Sequence, residues 1–259
     1  MTPVEVTFLG TCACDFSQKL ENEFKDEFDY DARRASALLL VNSYLIDCGP
    51  HILDSLRIAK AKQEEITNIF ITHLHDDHFN YDNVAQIARK SKTRLKLWVR
   101  ENAQLPQSED VEIIKMTPYV RYEVENGVFI TGLNANHDKD SCPQHFLIEM
   151  QGKKIFYGCD GAWFLVDTYN FLKGIELDIA VIDATVGDYV GDYRIAEHNS
   201  IPMIRLMLPS LKNEKIITEK TMLYLSHIAP SLHKPHKEIE QIASEFGAGV
   251  AYDGLKIKI

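Results

Sequence analysis

The segment that most restricts how this chain can fold is an apolar run ending in a histidine-rich turn. Residues 69–78 read Ile-Phe-Ile-Thr-His-Leu-His-Asp-Asp-His. β-Branched and aromatic residues are typical of a buried strand, and the polar residues follow where such a strand would end. His73 and His75 are two positions apart, so an extended backbone directs both imidazoles to one side. The pattern predicts a metal site at a strand end.

The same turn offers ligands for a second ion. Asp77 and His78 lie just past the strand end and can turn towards another cation. A solvated polar loop is the alternative, but three of the ten histidines fall within residues 73–78. Neutral imidazoles with a carboxylate suit zinc, manganese or iron, and raw affinity does not choose among them. We therefore expect His73 and His75 to hold one ion, and Asp77 and His78 the other.

Short apolar runs alternate with helical patterns along the chain, without a linker, repeat or low-complexity tract. Many runs are too apolar to leave one face in water, which favours an α/β fold with stacked mixed sheets and helices outside. The expected layering is a four-layer αββα sandwich, although periodicity alone does not choose it. Asn-Gly within residues 125–128 predicts a hairpin turn. We expect one domain over residues 1–259, with a charged aromatic insertion at about residues 15–34.

Charge and cysteine content exclude several classes of protein. The net charge of −10 argues against broad binding to nucleic acid or anionic membranes, because both depend on clustered Lys and Arg. The N-terminal segment lacks a basic region followed by an apolar stretch, and no apolar run approaches the roughly 18 residues that span a bilayer. We therefore expect a cytoplasmic protein. Its five scattered cysteines predict reduced, mostly buried thiols.

The spacing His-x-His-x-Asp-His after a strand resembles the signature of the metallo-β-lactamase superfamily. The resemblance covers nearly the whole chain, from Thr-Phe-Leu-Gly-Thr at 7–11 and Tyr-Leu-Ile-Asp-Cys-Gly at 44–49 to Leu-Ser-His at 225–227 and Ala-Tyr-Asp-Gly at 251–254. The opening Leu-Gly-Thr and Arg-Arg-Ala-Ser at 33–36 look most similar to the branch that holds the cyclic ribose-phosphate phosphodiesterase and, further off, the tRNA 3′-processing endonuclease. The resemblance implies the αββα fold and a binuclear metal-dependent hydrolase.

The resemblance also directs attention to ligands further along the chain, each after a predicted strand. His137 is expected to complete the set of the first ion. His145, eight residues later on an apolar strand, is the competing candidate and is expected to pack or to support the ligands. Asp160 is expected to bridge both ions, since a carboxylate has two oxygens to share. The alternative for Asp160 is an ordinary Asp-Gly turn.

His227 is expected to complete the set of the second ion, with His233 as the alternative. His198 matches a His-x-Ser motif of the phosphodiesterase-like branch, in which such a histidine contacts phosphate or supplies a proton. The alternative for His198 is a polar residue at a helix start. Asp47 and Asp183 each end a strand and could support a ligand imidazole through the ring nitrogen that does not bind metal.

These residues predict a hydrolase in which hydroxide bridging two divalent ions attacks the substrate. Asp77 and His198 are the predicted catalytic residues. Arg33 and Arg34, together with His198, are expected to bind an anionic substrate, because an acidic protein needs local positive charge for that task. Zinc is the first expectation for both ions, with manganese or iron as alternatives.

The expected substrate is a small phosphorylated or cyclic-phosphate metabolite. The Cys-rich loop of the cyclic phosphodiesterase and the Gly-rich arm of the tRNA enzyme are not evident, and the charge of −10 disfavours a large polyanion. Two alternatives stay open: hydrolysis of a carboxylic ester, thioester or lactam at the same site, and an inactive metal-binding sensor or assembly protein. No membrane partner is expected, and a homodimer is left open.

Overall fold

The structure is a computed structural model that describes residues 3–125 and 127–259. Within these ranges the strands form two seven-stranded sheets. The first sheet contains β1 (Glu5–Gly10), β2 (Ala37–Leu40), β3 (Tyr44–Ile46), β4 (Asn68–Phe70), β5 (Leu95–Arg100), β6 (Val111–Met116) and β14 (Lys256–Lys258). The second sheet contains β7 (Arg121–Glu125), β8 (Val128–Asn134), β9 (Gln144–Met150), β10 (Lys153–Gly158), β11 (Ile179–Asp183), β12 (Met222–Ser226) and β13 (Ala248–Val250).

Both sheets are mixed. Neighbouring strands are consecutive in the chain, except that β14 pairs with β1. The pairs from β3 to β6 and from β10 to β13 are parallel, and the others are antiparallel. The α-helices are α1 (Lys19–Asn22), α2 (Ile52–Ile58), α3 (Tyr81–Lys90), α4 (Val166–Leu172), α5 (Ile201–Asn213) and α6 (His236–Ser244). None of the helices within the described ranges is long and apolar enough to cross a membrane.

The strands bury both of their faces, which explains their continuous apolar sequence. In β2, Leu38 and Leu40 point into the core between the sheets, whereas Leu39 points into the core beneath α2 and α3. In β10, Tyr157 lies between the sheets and Phe156 packs beneath the helices of the other face. This alternation produces helix, sheet, sheet and helix layers, so the predicted four-layer αββα sandwich is confirmed.

Other expectations have mixed outcomes. The predicted hairpin turn includes Asn126, which lies outside the described residues. The expectation of one domain stays a prediction.

The insertion at about residues 15–34 is attached to the surface of the fold. Arg57 of α2 forms an ion pair with Asp26 at 2.8 Å, and Phe28 lies against Gly254. The cysteines are free thiols, of which Cys14 is exposed and the others are buried.

The layering brings the ends of several strands to one edge of the two sheets. His73 follows β4, Asp160 follows β10 and His227 follows β12. The carboxyl ends of parallel strands are the usual place for sites in α/β folds. Asp47, Asp160 and His227 have φ values of 63°, 59° and 57°, a left-handed conformation that non-glycine residues rarely adopt. Such conformations cluster at functional sites, so this edge is the candidate functional site of the fold.

Candidate metal centre

The first group at this edge, the first ligand set, consists of His73, His75, His137 and Asp160. His73 Nε2 lies 3.0 Å from His75 Nδ1, and His137 Nε2 lies 3.2 Å from the same nitrogen. Asp160 Oδ2 lies 3.2 Å from His73 Nε2. Three imidazoles and a carboxylate from separate parts of the chain therefore point at one position.

The second ligand set consists of Asp77, His78, Asp160 and His227. His78 Nε2 lies 3.1 Å from His227 Nε2 and 3.4 Å from Asp77 Oδ2. Asp160 Oδ2 is 3.5 Å from His78 Nε2 and 3.4 Å from His227 Nε2. Asp160 belongs to both sets, so its carboxylate lies between the two positions.

The donor sets fit divalent metal ions. Nitrogen ligands bound tetrahedrally to zinc at about 2.0–2.1 Å are separated by about 3.3 Å, close to the spacings within both sets. Asp160 Oδ1 is buried and accepts no hydrogen bond from the described residues. His198 Nδ1 lies 2.9 Å from this oxygen, without hydrogen-bond geometry. A buried oxygen with an unused lone pair is costly unless another partner, such as a cation, occupies it.

The electrostatics of the sets suit a cation. Burial alone would raise the pKa of Asp77, but His78 and His227 outweigh burial and hold that pKa well below its usual range. Burial lowers the pKa of His73 to about 3, so its ring is neutral at pH 7. Burial also opposes charge on His227, but Asp160 raises the His227 pKa to about 9. Because ligand imidazoles must be neutral, a bound metal takes the place of the proton on such a ring.

The outward-facing ring nitrogens are held by acceptors. His78 Nδ1 lies 2.8 Å from Asp47 Oδ2. His227 Nδ1 lies 2.7 Å from Thr185 Oγ1, and that hydroxyl donates to Asp183 Oδ2 at 3.0 Å. These contacts fix each ring so that its Nε2 lone pair faces the cluster. Asp47 and Asp183 therefore lie where the sequence predicts supporting carboxylates.

Replacing Asp47 with asparagine is expected to weaken zinc affinity by about 10–100-fold at the second ligand set. Asp47 is fully buried and also accepts from the Thr72 amide at 2.8 Å. An amide nitrogen in place of Oδ2 would face the His78 N–H as a second donor. Competition against a chromogenic chelator measures the affinity, and circular dichroism checks the fold. The matched change Asp138→Asn, next to the half-exposed His75, should have a smaller effect. Equal zinc affinity in wild type and Asp47→Asn would contradict this role.

His198 adjoins both the cluster and the open cleft. Its Nδ1 lies 2.9 Å from Asp160 and 3.2 Å from Asp183, and its ring stacks on His227 with centroids 5.7 Å apart. Burial opposes charge on His198, but Asp160 and Asp183 outweigh it and raise the His198 pKa to about 11. His198 thus lies beside the shared carboxylate of Asp160 and lines the cleft, and its contact with phosphate stays a prediction.

A cavity of about 540 Å³ opens over the cluster. Side chains of both ligand sets line it, together with His198, Tyr193 and Arg194 from a short 3₁₀ turn before α5. The Arg194 guanidinium lies 2.9 Å from Asp192 and is about one-third exposed. The cleft is large enough for a small molecule and has one arginine in its wall.

Arg33 does not reach over this cleft. Its side chain is 1% exposed. Nη1 donates to Thr11 Oγ1 at 2.7 Å and to the Ala251 carbonyl at 2.6 Å, and Nη2 lies 2.8 Å from His236 Nδ1. The guanidinium thus connects β1, the insertion and the C-terminal part of the chain from inside.

Arg34 is also directed away from the cleft. It donates to the carbonyls of Phe24 and Glu27 within the insertion and lies over the Phe28 ring at 5.4 Å. The prediction that Arg33 and Arg34 bind substrate is therefore corrected, because both guanidinium groups have internal partners. Arg194 is the arginine in the cleft wall.

Both histidine alternatives lie apart from the ligand sets. His145 is buried against Phe156 and beneath Gly161, in agreement with a packing role. His233 Nε2 donates to the Ala184 carbonyl at 2.6 Å. The structure therefore places His227, rather than His233, in the second set.

The sequence interpretation missed three residues of the site. Asp138 Oδ2 lies 3.3 Å from His75 Nε2, Thr185 holds His227, and Arg194 lines the cleft. A carboxylate directly after a candidate ligand, as Asp138 is after His137, is a signal that could have been used. Thr185 and Arg194 carry no local motif that distinguishes them from ordinary polar residues.

Two stacked mixed sheets with a His/Asp cluster at one edge define a metallo-β-lactamase fold. A family model described as "Beta-lactamase superfamily domain" matches residues 42–201, which is more than half of the chain. The chain therefore belongs to this superfamily. The structure of the metallo-beta-lactamase fold protein YhfI from Bacillus subtilis is similar, with a TM-score of 0.75, 14% identity and 100% coverage of both chains.

Two further similar proteins are a diphosphatase and a zinc phosphodiesterase. A diphosphatase from the PhnP family has a TM-score of 0.72 and 19% identity, covering 99% of this chain and 98% of its own. The zinc phosphodiesterase ELAC protein 1 of Bos taurus is 39% identical over 79 residues. That stretch covers 29% of this chain and 18% of the length of the bovine protein. The resemblance to the superfamily is confirmed, as is the resemblance to the branch of the cyclic ribose-phosphate phosphodiesterase and the tRNA 3′-processing endonuclease.

Proposed function

We propose that this protein is a metal-dependent phosphodiesterase that acts on a small phosphorylated or cyclic-phosphate metabolite. Its cofactors would be two divalent ions, zinc first, one held by each ligand set. The observation that carries the proposal is the position of Asp160, whose two oxygens lie among imidazoles of both sets. The similarity to the bovine zinc phosphodiesterase and to the PhnP-family diphosphatase supports phosphorus over carbon as the attacked centre.

When bound, the ions would supply activated water and stabilise negative charge on the attacked phosphoryl group. The protein supplies the rest. Asp77 and Asp160 fix the positions of the ions. His198 Nδ1 donates a hydrogen bond to Asp183 Oδ2 at 3.2 Å and lies 2.9 Å from the Asp160 carboxylate, which leaves Nε2 to donate a hydrogen bond or a proton to a substrate oxygen. The cleft wall with Arg194 favours an anionic substrate.

The test is hydrolysis of bis(p-nitrophenyl) phosphate by zinc-, manganese- and iron-loaded protein, beside p-nitrophenyl acetate, a thioester and a chromogenic β-lactam. We expect metal-dependent release of p-nitrophenol from the diester at a kcat/KM well above that for the carbonyl substrates. Cleavage of the carbonyl substrates without cleavage of any phosphodiester would refute the proposal. Metal-loaded protein inert to every substrate would favour the sensor alternative.

Replacing Arg194 with alanine is expected to raise KM for the anionic diester by about tenfold, because a charge-assisted hydrogen bond to the substrate is lost at a partly exposed site. The KM for the neutral p-nitrophenyl acetate should change little. Steady-state kinetics on both substrates measure the difference. Arg205→Ala is the matched control, because Arg205 pairs with Glu245 on the helical surface. A parallel rise of KM for both substrates would show that Arg194 does not recognise charge.

A further inference from the structure

The cleft continues beyond the metal centre into a second cavity. This cavity has a volume of about 590 Å³, and its lining combines the rings of Phe16, Phe79 and Pro50 with the polar residues Cys14, Asp76, Asp77 and Asn80. Cys14 and Asp77 line both cavities. A residue of the second ligand set thus stands at the junction, with the Arg194 side of the cleft in one direction and an aromatic recess in the other. The recess is unexplained by the proposed chemistry.

Phe16 is held in place rather than free. Its ring meets the His51 ring edge to face, with centroids 4.5 Å apart and an interplanar angle of 84°. His51 Nδ1 in turn accepts from the Ala35 amide at 3.3 Å. On the other side, Asp15 accepts from the Ser231 amide at 2.9 Å, which ties the start of the insertion to the rim of the main cavity. A fixed aromatic ring loses little entropy on binding another ring.

The other aromatic residues of the insertion that have described ring contacts serve its attachment. Phe28 packs against Gly254 and beneath Arg34. Tyr30 stacks on His236 with centroids 4.9 Å apart. Phe16 differs from these two residues because it lines the second cavity.

We infer that the recess at Phe16 binds a planar aromatic ring on the non-leaving arm of the phosphodiester, so that the preferred substrates carry an aryl group or a nucleobase. This inference rests on the proposed phosphodiesterase function. A diester has two arms, and the metal centre lies where the two cavities join. A phosphoryl group held there would extend one arm towards Phe16. Base–aromatic stacking on such a residue is insensitive to the identity of the base.

The test uses three diesters with the same leaving group: the p-nitrophenyl phosphodiesters of thymidine (5′), phenol and methanol. The three substrates differ in intrinsic reactivity, so each is compared only with itself. The readout for each substrate is the ratio of kcat/KM in Phe16→Ala to kcat/KM in the wild type. We expect Phe16→Ala to lower kcat/KM by about tenfold for a diester whose non-leaving arm carries a ring, as in the thymidine and phenyl diesters. For the methyl diester, whose non-leaving arm has no ring, the loss should be less than about twofold. Phe16→Tyr, which keeps an aromatic ring, should keep the wild-type preference for diesters with a ring on the non-leaving arm. Tyr30→Ala, another aromatic residue of the insertion, should leave it unchanged.

A binding measurement gives a readout that does not depend on turnover. By calorimetry, Phe16→Ala should weaken binding of thymidine 5′-monophosphate about tenfold and leave binding of methyl phosphate unchanged. Loss confined to the thymidine compounds would identify a nucleobase site, and equal loss for the phenyl diester would identify a general aryl site; both support the inference. Cleavage of all three diesters with unchanged ratios would overturn the inference alone. Failure to cleave any diester would overturn the proposed function and the inference with it.

Discussion

Replacing either His75 or Asp77 with alanine is expected to lower kcat at least about a thousandfold, and each variant should retain about one metal ion per chain. His75 belongs only to the first ligand set and Asp77 only to the second. Each substitution therefore removes one of the four donors of its own set and leaves all four donors of the other set in place. Neither side chain fills the hydrophobic core, so the fold should survive.

Steady-state kinetics on bis(p-nitrophenyl) phosphate and elemental analysis of the same samples check this expectation. Asp76→Ala is the matched control for Asp77→Ala, because Asp76 is an exposed carboxylate of the same turn that belongs to neither set. It should keep both ions. Wild-type activity in His75→Ala or Asp77→Ala, with both ions still bound, would count against the assignment of the two sets.

Arg33→Ala is expected to lower the free energy of unfolding by about 3–5 kcal/mol, the cost of disrupting a buried, hydrogen-bonded charge. Three acceptors would lose their donor: Thr11, the Ala251 carbonyl and His236. Thr11 also donates to the buried carboxylate of Asp253 at 2.8 Å, so the loss extends to a second buried charged group. The lowered pKa of Arg33, caused by burial, agrees with a cation that depends on these internal partners.

Urea unfolding followed by circular dichroism measures this loss. Arg57→Ala is the control, because Arg57 also forms ion pairs but is about half exposed, and surface pairs contribute little. The KM of folded Arg33→Ala should equal that of the wild type. Equal unfolding free energies for the Arg33 and Arg57 variants would contradict the structural role. A raised KM at unchanged stability would restore the substrate-binding role predicted from the sequence.

Most of the fold could be predicted because its strands are buried on both faces and are therefore strongly apolar. The strand Ala248–Val250 is an exception, since a three-residue Ala-Gly-Val run has little β-pattern and pairs only with β12 at the sheet edge among the described residues. The end of α5 is harder to predict, because the helix continues through Pro209 to Asn213. Pro209 usually ends a helix, but burial of Leu208 and Leu211 favours its continuation.

The candidate site could be predicted where a ligand lies within three residues of the end of a strand. His73, Asp160 and His227 share that position, so chain order and residue type were sufficient to bring them together. Contacts that depend on packing could not be predicted: the sequence does not reveal that Arg33 is buried. Likewise, Thr185 and His227 are 42 positions apart in the chain. Their contact arises from the parallel pairing of β11 with β12.

Anomalous diffraction at the zinc edge from crystals of the zinc-loaded protein tests the central claim most directly. We expect two peaks about 3.5–4 Å apart, with Asp160 between them, the first beside His73, His75 and His137. The second peak should lie beside Asp77, His78 and His227. A single peak, or zinc bound away from Asp160, would contradict a binuclear centre bridged by this carboxylate.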